Sequence, residues 1–219
     1  MITSWKRKAK RNSCNKVGEL APQAVQLFVR ELKPQLQFLS KKEQQIKNPY
    51  PSYKGTLIQK YKRNGDPRIK VFRTANLGSW NEDDAAVTVY SFKSTPPGNG
   101  TYVVLQFEAS EMYFASKEDR PGILVLEEPG EFDPENAEDI TTTADRRVFL
   151  MKPHGTDVVF ASCVASQQKP GDKSKAQVIT VRRNKNSAAV FRLEGKGPAL
   201  ASQWFQLEEV SAEGDSEQS

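Results

Sequence analysis

The sequence predicts an all-β domain, a sandwich or barrel of short strands, behind a basic N-terminal arm. Three observations predict it. The stretch Thr101–Glu128 reads as three short strands with two tight connections, the second closed by Pro121-Gly122. Asn64-Gly65, set between two alternating segments, is a strong hairpin cue. The pattern apolar-x-apolar-Glu recurs as LQFE (105–108), LVLE (124–127), FRLE (191–194) and FQLE (205–208), as expected where similar strands meet similar loops. Runs this short, punctuated by turn residues, belong to sandwiches and barrels.

The arm comes first. Lys6, Arg7, Lys8, Lys10 and Arg11 form a tight basic cluster. Clustered cations displace counterions from phosphate, so the cluster fits nuclear import or a nucleic-acid contact; a solubilising tail is the other reading. Glu19–Leu32 is a helix candidate, with Pro22 suited to its first turn, Pro34 stopping it, and Leu20, Ala24, Leu27, Phe28 and Leu32 at helical spacing. A helix this short is marginal alone, so it docks on a partner or on its own domain. A weak apolar patch, Leu36–Leu39, and the basic stretch Lys41–Lys47 end the arm at residue 47. Asn48–Lys54, with two prolines and no apolar period, reads as a linker.

The domain is expected over 55–210, with an acidic tail at 211–219. Thr56–Tyr61 and Arg68–Phe72 form the first hairpin, whose return strand sets Arg68, Lys70 and Phe72 against Ile69 and Val71. One face of that strand is therefore basic and wet. Thr74–Asp84 reads as loop and Ala85–Phe92 as a strand with Val87 and Val89 inward. Thr101–Phe107 places Val103, Leu105 and Phe107 on one face and Tyr102, Val104 and Gln106 on the other. Glu111–Ser116 and Ile123–Leu126 follow. Pro129–Asp145 is the longest connection; with Glu127, Glu128, Glu131 and Asp133 it is either a solvated acidic loop or a charged recognition surface. Arg147–Pro153, Val158–Cys163, Gln177–Arg182, Ala189–Glu194 and Trp204–Val210 complete the strands. Arg182, Arg183 and Lys185 read as a solvated turn. Phe107, Phe114, Phe149, Phe160, Phe191 and Phe205 are the predicted core.

Charge divides the chain. Residues 1–47 hold eleven Lys/Arg and three Glu, net +8, within a whole-chain charge of +5, which leaves −3 for residues 48–219. The basic character thus belongs to the arm. No run approaches the roughly 18 apolar residues of a membrane span, so membrane insertion is not expected. The basic start is not followed by an apolar stretch, so a signal peptide is not predicted. Cys14 and Cys163 are the only cysteines, which argues against a disulfide framework and for synthesis in a reducing compartment.

The residues give little basis for an enzyme. The sequence has no Walker loop, no clustered metal ligands and no GxGxxG, so no cofactor or metal is expected. His154 is the only histidine and sits in a turn between Pro153 and Gly155. A Cys163–His154 pair on facing strands is conceivable, since a cysteine nucleophile needs a nearby base. No third orienting group suggests itself.

The order of these segments resembles the interleukin-1 family of cytokines from about Gly55 to Val210. RRVFLMKPHGTDVVFASC is similar to that family's strand, His-Gly-Thr turn and Phe-x-Ser strand, and AQVITVRRNKNSAAVFRLEGKGPALASQWFQLEEV to its closing strands. The resemblance implies a β-trefoil of about twelve short strands. It also implies a monomeric cytokine, exported without a signal peptide, that binds a receptor with immunoglobulin-like ectodomains and signals through an accessory receptor chain. The layout most resembles the interleukin-33 type, with a basic, chromatin-associated arm holding the precursor in the nucleus or cytoplasm. Receptor-facing residues on this reading are Arg68, Lys70, Arg73, Glu127, Glu128, Glu131 and Asp133. A lectin trefoil would repeat Gln-x-Trp, which this sequence lacks. Residues 1–65 contain no Asp, so a caspase would not free an intact domain, and the expected cut is by another protease within Lys41–Lys54.

Overall fold

A computed structural model of the chain describes residues 36–73, 82–94, 100–120, 122–136, 145–164, 176–183, 188–193 and 197–210. The basic cluster and the helix predicted at Glu19–Leu32 lie outside the described residues. Twelve strands are present among those described: β1 Leu36–Asn48, β2 Gly55–Tyr61, β3 Pro67–Phe72, β4 Val87–Ser94, β5 Thr101–Phe107, β6 Tyr113–Ser116, β7 Leu124–Glu127, β8 Phe149–His154, β9 Asp157–Ser162, β10 Gln177–Arg182, β11 Ala188–Leu193 and β12 Gln206–Glu209.

The pairings build a closed six-stranded barrel. β1 pairs with β4, β4 with β5, β5 with β8 and β8 with β9, all antiparallel. β12 pairs back onto β1. The ring closes between β9 and β12 at Val158 and Phe205, whose backbone groups exchange hydrogen bonds of 2.8 and 2.9 Å. The other six strands are three hairpins. β2–β3 joins the barrel through β1, β6–β7 through β5 and β10–β11 through β9. One unit of four strands therefore occurs three times, as β1–β4, β5–β8 and β9–β12, each contributing two barrel strands and one hairpin. A six-stranded barrel carrying three hairpins is the β-trefoil. LVLE forms β7 and the first three residues of FRLE end β11, strands that hold the same place in successive units.

All six predicted phenylalanines lie in one buried cluster with Ile46, Leu57, Leu105 and Ile179. Phe107 and Phe114 stack at 4.9 Å. Val103, Leu105 and Phe107 of β5 point into this cluster, as the alternation predicts, while Val104 on the opposite face enters a second one with Leu36, Tyr90 and Phe92. β5 is thus buried on both faces. Gly55 allows the first hairpin to form: at φ 155°, an added Cβ would lie 2.3 Å from the Phe72 carbonyl oxygen.

The beginning of the domain differs from the sequence reading. Residues 36–47 are not the end of an arm; they form most of β1, the longest strand. Of its residues only Leu36, Ile46 and Asn48 are buried, so the strand carries no apolar alternation to detect. Its backbone ladder holds it instead, in register with β4 from Leu36↔Ser94 to Gln44↔Val87, past a bulge between Phe38 and Ser40. The linker is pinned as well. The Asn48 side chain donates to the Ala201 carbonyl at 2.8 Å and accepts from the Tyr50 N–H at 3.1 Å. With the boundary at Leu36, residues 1–35 hold eight Lys/Arg and two Glu, net +6, and the rest of the chain is −1. A cut within Lys41–Asn48 would split β1, so processing that leaves the barrel closed falls before Leu36. No helix of the described residues is long and apolar enough to cross a membrane.

Candidate interaction site on the hairpin cap

Two charged surfaces flank the hairpins. The first is basic. In an antiparallel pair, residues directly opposite point to the same side of the sheet. Lys60 is opposite Arg68, and Ile58 opposite Lys70. β3 also pairs with β11 through Ala188↔Lys70, and β11 with β10 through Arg182↔Ala188. The row Ile58–Lys70–Ala188–Arg182 therefore spans four strands, and Lys60, Arg68, Lys70 and Arg182 share one face. Ile69 and Val71, on the other face of β3, enter the core. Arg73 is exposed just beyond β3.

Among the described residues none of the four cations on this face forms an ion pair. The Arg68 Nε is buried without a hydrogen-bond partner. A buried donor left unmade costs about 1–3 kcal/mol, so the arrangement is unfavourable for the domain alone. Burial holds the Lys70 ammonium below its usual pKa, and the like charges of Arg68 and Lys60 lower it further.

The second surface is an open cleft of about 880 Å³ between the β6–β7 turn, β7 with the residues after it, and the segment before β8. Glu127 and Glu128 lie on its wall, and Arg146 bridges it, 2.8 Å from Glu118 and 3.1 Å from Glu127. Burial raises the Glu127 pKa, opposed by Arg146 and Arg147. Arg147 holds Asp145 at 2.7 Å and lies 3.3 Å over the Phe132 ring. Glu131 and Asp133 are exposed beyond the cleft. The Asp133 carboxylate accepts the Glu135 N–H at 2.9 Å, and Glu135 pairs with Lys41 of β1 at 2.9 Å. The acidic connection is thus tied to the barrel at Glu135 and cross-linked by arginines on its cleft side. Sequence reading named the acids but not the two arginines. Arg146 is brought beside Glu118 and Glu127 by the packing of β7 and the β6–β7 turn against the segment before β8, whereas Arg147 finds Asp145 two residues away.

His154 and Cys163 are not a pair. They lie at opposite ends of the β8–β9 hairpin, whose register runs from His154↔Asp157 to Phe149↔Ser162. The His154 ring stacks on Trp204 at 4.5 Å. Burial pushes the Cys163 thiol up to about 12, which keeps it protonated and unreactive near neutrality. Around His154 lies a network absent from the sequence reading. Asp157 is buried and accepts from the Tyr50 hydroxyl at 2.6 Å and from Gln206 Nε2 at 2.9 Å. It fastens the supposed linker to both strands that close the barrel. The hydrogen bond to Asp157, with burial, pushes Tyr50 up to about 12.

These shifts set a pH window. The Cys163 pKa rises from 9.0 unfolded to about 12 folded, so its contribution is complete below pH 9 and lost as pH rises toward 12. In that window the native thiol keeps a proton the unfolded chain releases, and stability falls by about 1.4 kcal/mol per pH unit. Urea midpoints measured from pH 8 to 11 should show this slope, and Cys163→Ala should flatten it below pH 10, where Tyr50 does not yet contribute. An unchanged slope in the variant would show that another group carries the alkaline loss.

Comparison with known proteins bears on the fold. No protein-family profile matches the chain, and no curated protein matches it. Solved structures do. A Polyporus squamosus lectin, bound to the human-type influenza-binding epitope Neu5Aca2-6Galb1-4GlcNAc, is similar with a TM-score of 0.52 at 10% identity, over 79% of this chain and 50% of the lectin. What is shared is the β-trefoil. The chain spans half of that lectin's length, and at this identity the likeness concerns the fold alone. ThreeFoil, a designed 3-fold symmetric protein, is similar with a TM-score of 0.49 at 8% identity, over 77% of this chain and 99% of its own.

Proposed function

We propose that this chain is a β-trefoil cytokine of the interleukin-1 type. It binds an immunoglobulin-like cell-surface receptor, recruits an accessory receptor chain, triggers inflammatory NF-κB signalling, and acts by binding without a catalytic step. The observation that supports this reading is order. The segments that resemble that family occupy consecutive strands of the trefoil, β5–β7, then β8, the His154-Gly155 turn and β9, then β10–β12. Receptor contact is proposed at the cleft and acidic connection, through Glu127, Glu128, Glu131 and Asp133, together with exposed Arg73.

The charge split favours a second activity of the same chain, with Lys6, Arg7, Lys8, Lys10 and Arg11 holding the precursor on chromatin. The experiment is a reporter assay. The full chain and a form starting at Leu36 are added to cells bearing each interleukin-1-type receptor, and NF-κB output is read. Response through one receptor supports the cytokine. Binding without response points to an antagonist. No binding to any receptor removes the reading and leaves a nuclear protein whose trefoil is a scaffold. In parallel, deleting residues 1–35 should abolish nuclear retention and spare receptor binding.

A further inference from the structure

We propose that Lys60, Arg68, Lys70 and Arg182 form one binding face for a sulfated polysaccharide. The inference does not rest on the receptor reading, although Arg68 and Lys70, read from the sequence as receptor-facing, belong to this face.

The face is composite. Lys60, Arg68 and Lys70 come from β2–β3, and Arg182 from the last position of β10, more than one hundred residues later. The Ala188↔Lys70 pairing joins them. With strands about 4.8 Å apart, Arg182 lies two strands from Lys70, about 10 Å away, and the Lys60–Arg68 row lies about 7 Å along the strands. Between the cations the floor is apolar, formed by buried Ile58 and half-buried Ala188. Four cations that form no ion pair among the described residues, gathered on such a floor, suit an anion with several acceptor oxygens. A guanidinium pairs bidentately with such an oxyanion, and Lys60 and Lys70 supply point charges to its neighbours.

A sulfated polysaccharide fits this row better than a nucleic acid. Single strands are held by stacking their bases on exposed rings between the cations. Here the ring on the basic face is Phe72, opposite buried Thr56 and itself half-buried, while Tyr61 belongs to the alternate set of β2 positions. Lys60 and Arg182 are exposed and Arg68 and Lys70 half-buried, so the face presents charge without an exposed ring beside it.

The test uses the full chain with Lys6, Arg7, Lys8, Lys10 and Arg11 changed to Gln, so that the arm does not mask the domain. Binding of a heparin-derived hexasaccharide is measured by fluorescence polarisation at several salt concentrations. Adding Lys60→Gln, Arg68→Gln, Lys70→Gln and Arg182→Gln should lower affinity at least about tenfold and reduce the salt slope by roughly one per lost cation. A control with Lys42, Lys93, Lys117 and Arg120 changed to Gln removes equal charge elsewhere and should stay within about twofold of its parent, since cations off the face make no direct contacts. Melting of the face variant should be no lower than that of its parent, because like charges have been removed. In the chain without domain substitutions, the hexasaccharide should shift the amide resonances of Lys70 and Ala188, a readout that needs no variant to fold. Undiminished binding by the face variant, equal loss in the control, or resonance shifts confined to other strands would overturn the proposal. Equally tight binding of hyaluronan hexasaccharide or of a single-stranded DNA of matching charge would overturn the assignment to sulfated glycans.

Discussion

A chain that begins at Asn48 should not fold, whereas one that begins at Leu36 should. The difference is β1. Deleting residues 36–47 removes the partner that β4 holds over most of its length, that β12 holds from Gln206 to Glu209 and that β2 holds at Thr56. It also removes Ile46, which is fully buried against the core. The barrel would lose one of six staves and expose two unpaired edges, which invite association with other chains. A domain is stable by only about 5–15 kcal/mol, and a ladder of this length with a buried isoleucine exceeds what that margin absorbs. Circular dichroism and thermal melting of the two forms would decide it. A cooperative melt of the Asn48 form at the same temperature would mean that β1 is dispensable, and the processing argument would fall with it.

Phe205→Ala should cost about 3–5 kcal/mol, among the largest effects of any single core truncation. Phe205 is fully buried, its ring lies 5.9 Å from that of Phe160, and its backbone makes the bridge to Val158 that closes the barrel. A cavity there sits at the barrel seam with the fewest paired residues to resist opening. Phe38→Ala, at a ring 36% exposed on β1, should cost less than about 1 kcal/mol. Urea denaturation of both variants gives the comparison. Similar losses would show that packing at the closure is no more important than packing on the rim.

Most of the strands were legible in the sequence because turn chemistry is local. Asn64-Gly65 marks β2–β3, and alternation marks β5 and β10, whose predicted and observed ends coincide. The six phenylalanines were legible because a large apolar ring in a short strand has few alternatives to burial. β1 was not legible. Its sequence, LQFLSKKEQQIKN, is polar because most of its side chains point to solvent, and the strand is held by backbone pairing that leaves no trace in residue type. The network of Tyr50, Asp157 and Gln206 was hidden for a related reason, since its members are far apart in the chain and each looks like an ordinary polar surface residue.

The charged surfaces divide in the same way. By itself the sequence determined that Arg68 and Lys70 share a face, because strand alternation is a property of neighbours, and that acids cluster after β7. It also determined the all-β class. Only the tertiary structure decided that Arg182, read as part of a solvated turn, extends the basic face of β3, and that Arg146 pairs with Glu118 and Glu127 across the cleft. Both depend on contacts between hairpins, β3 against β11 and β7 against the segment before β8. Such contacts are set by how three hairpins close over one barrel, which no single stretch of chain encodes.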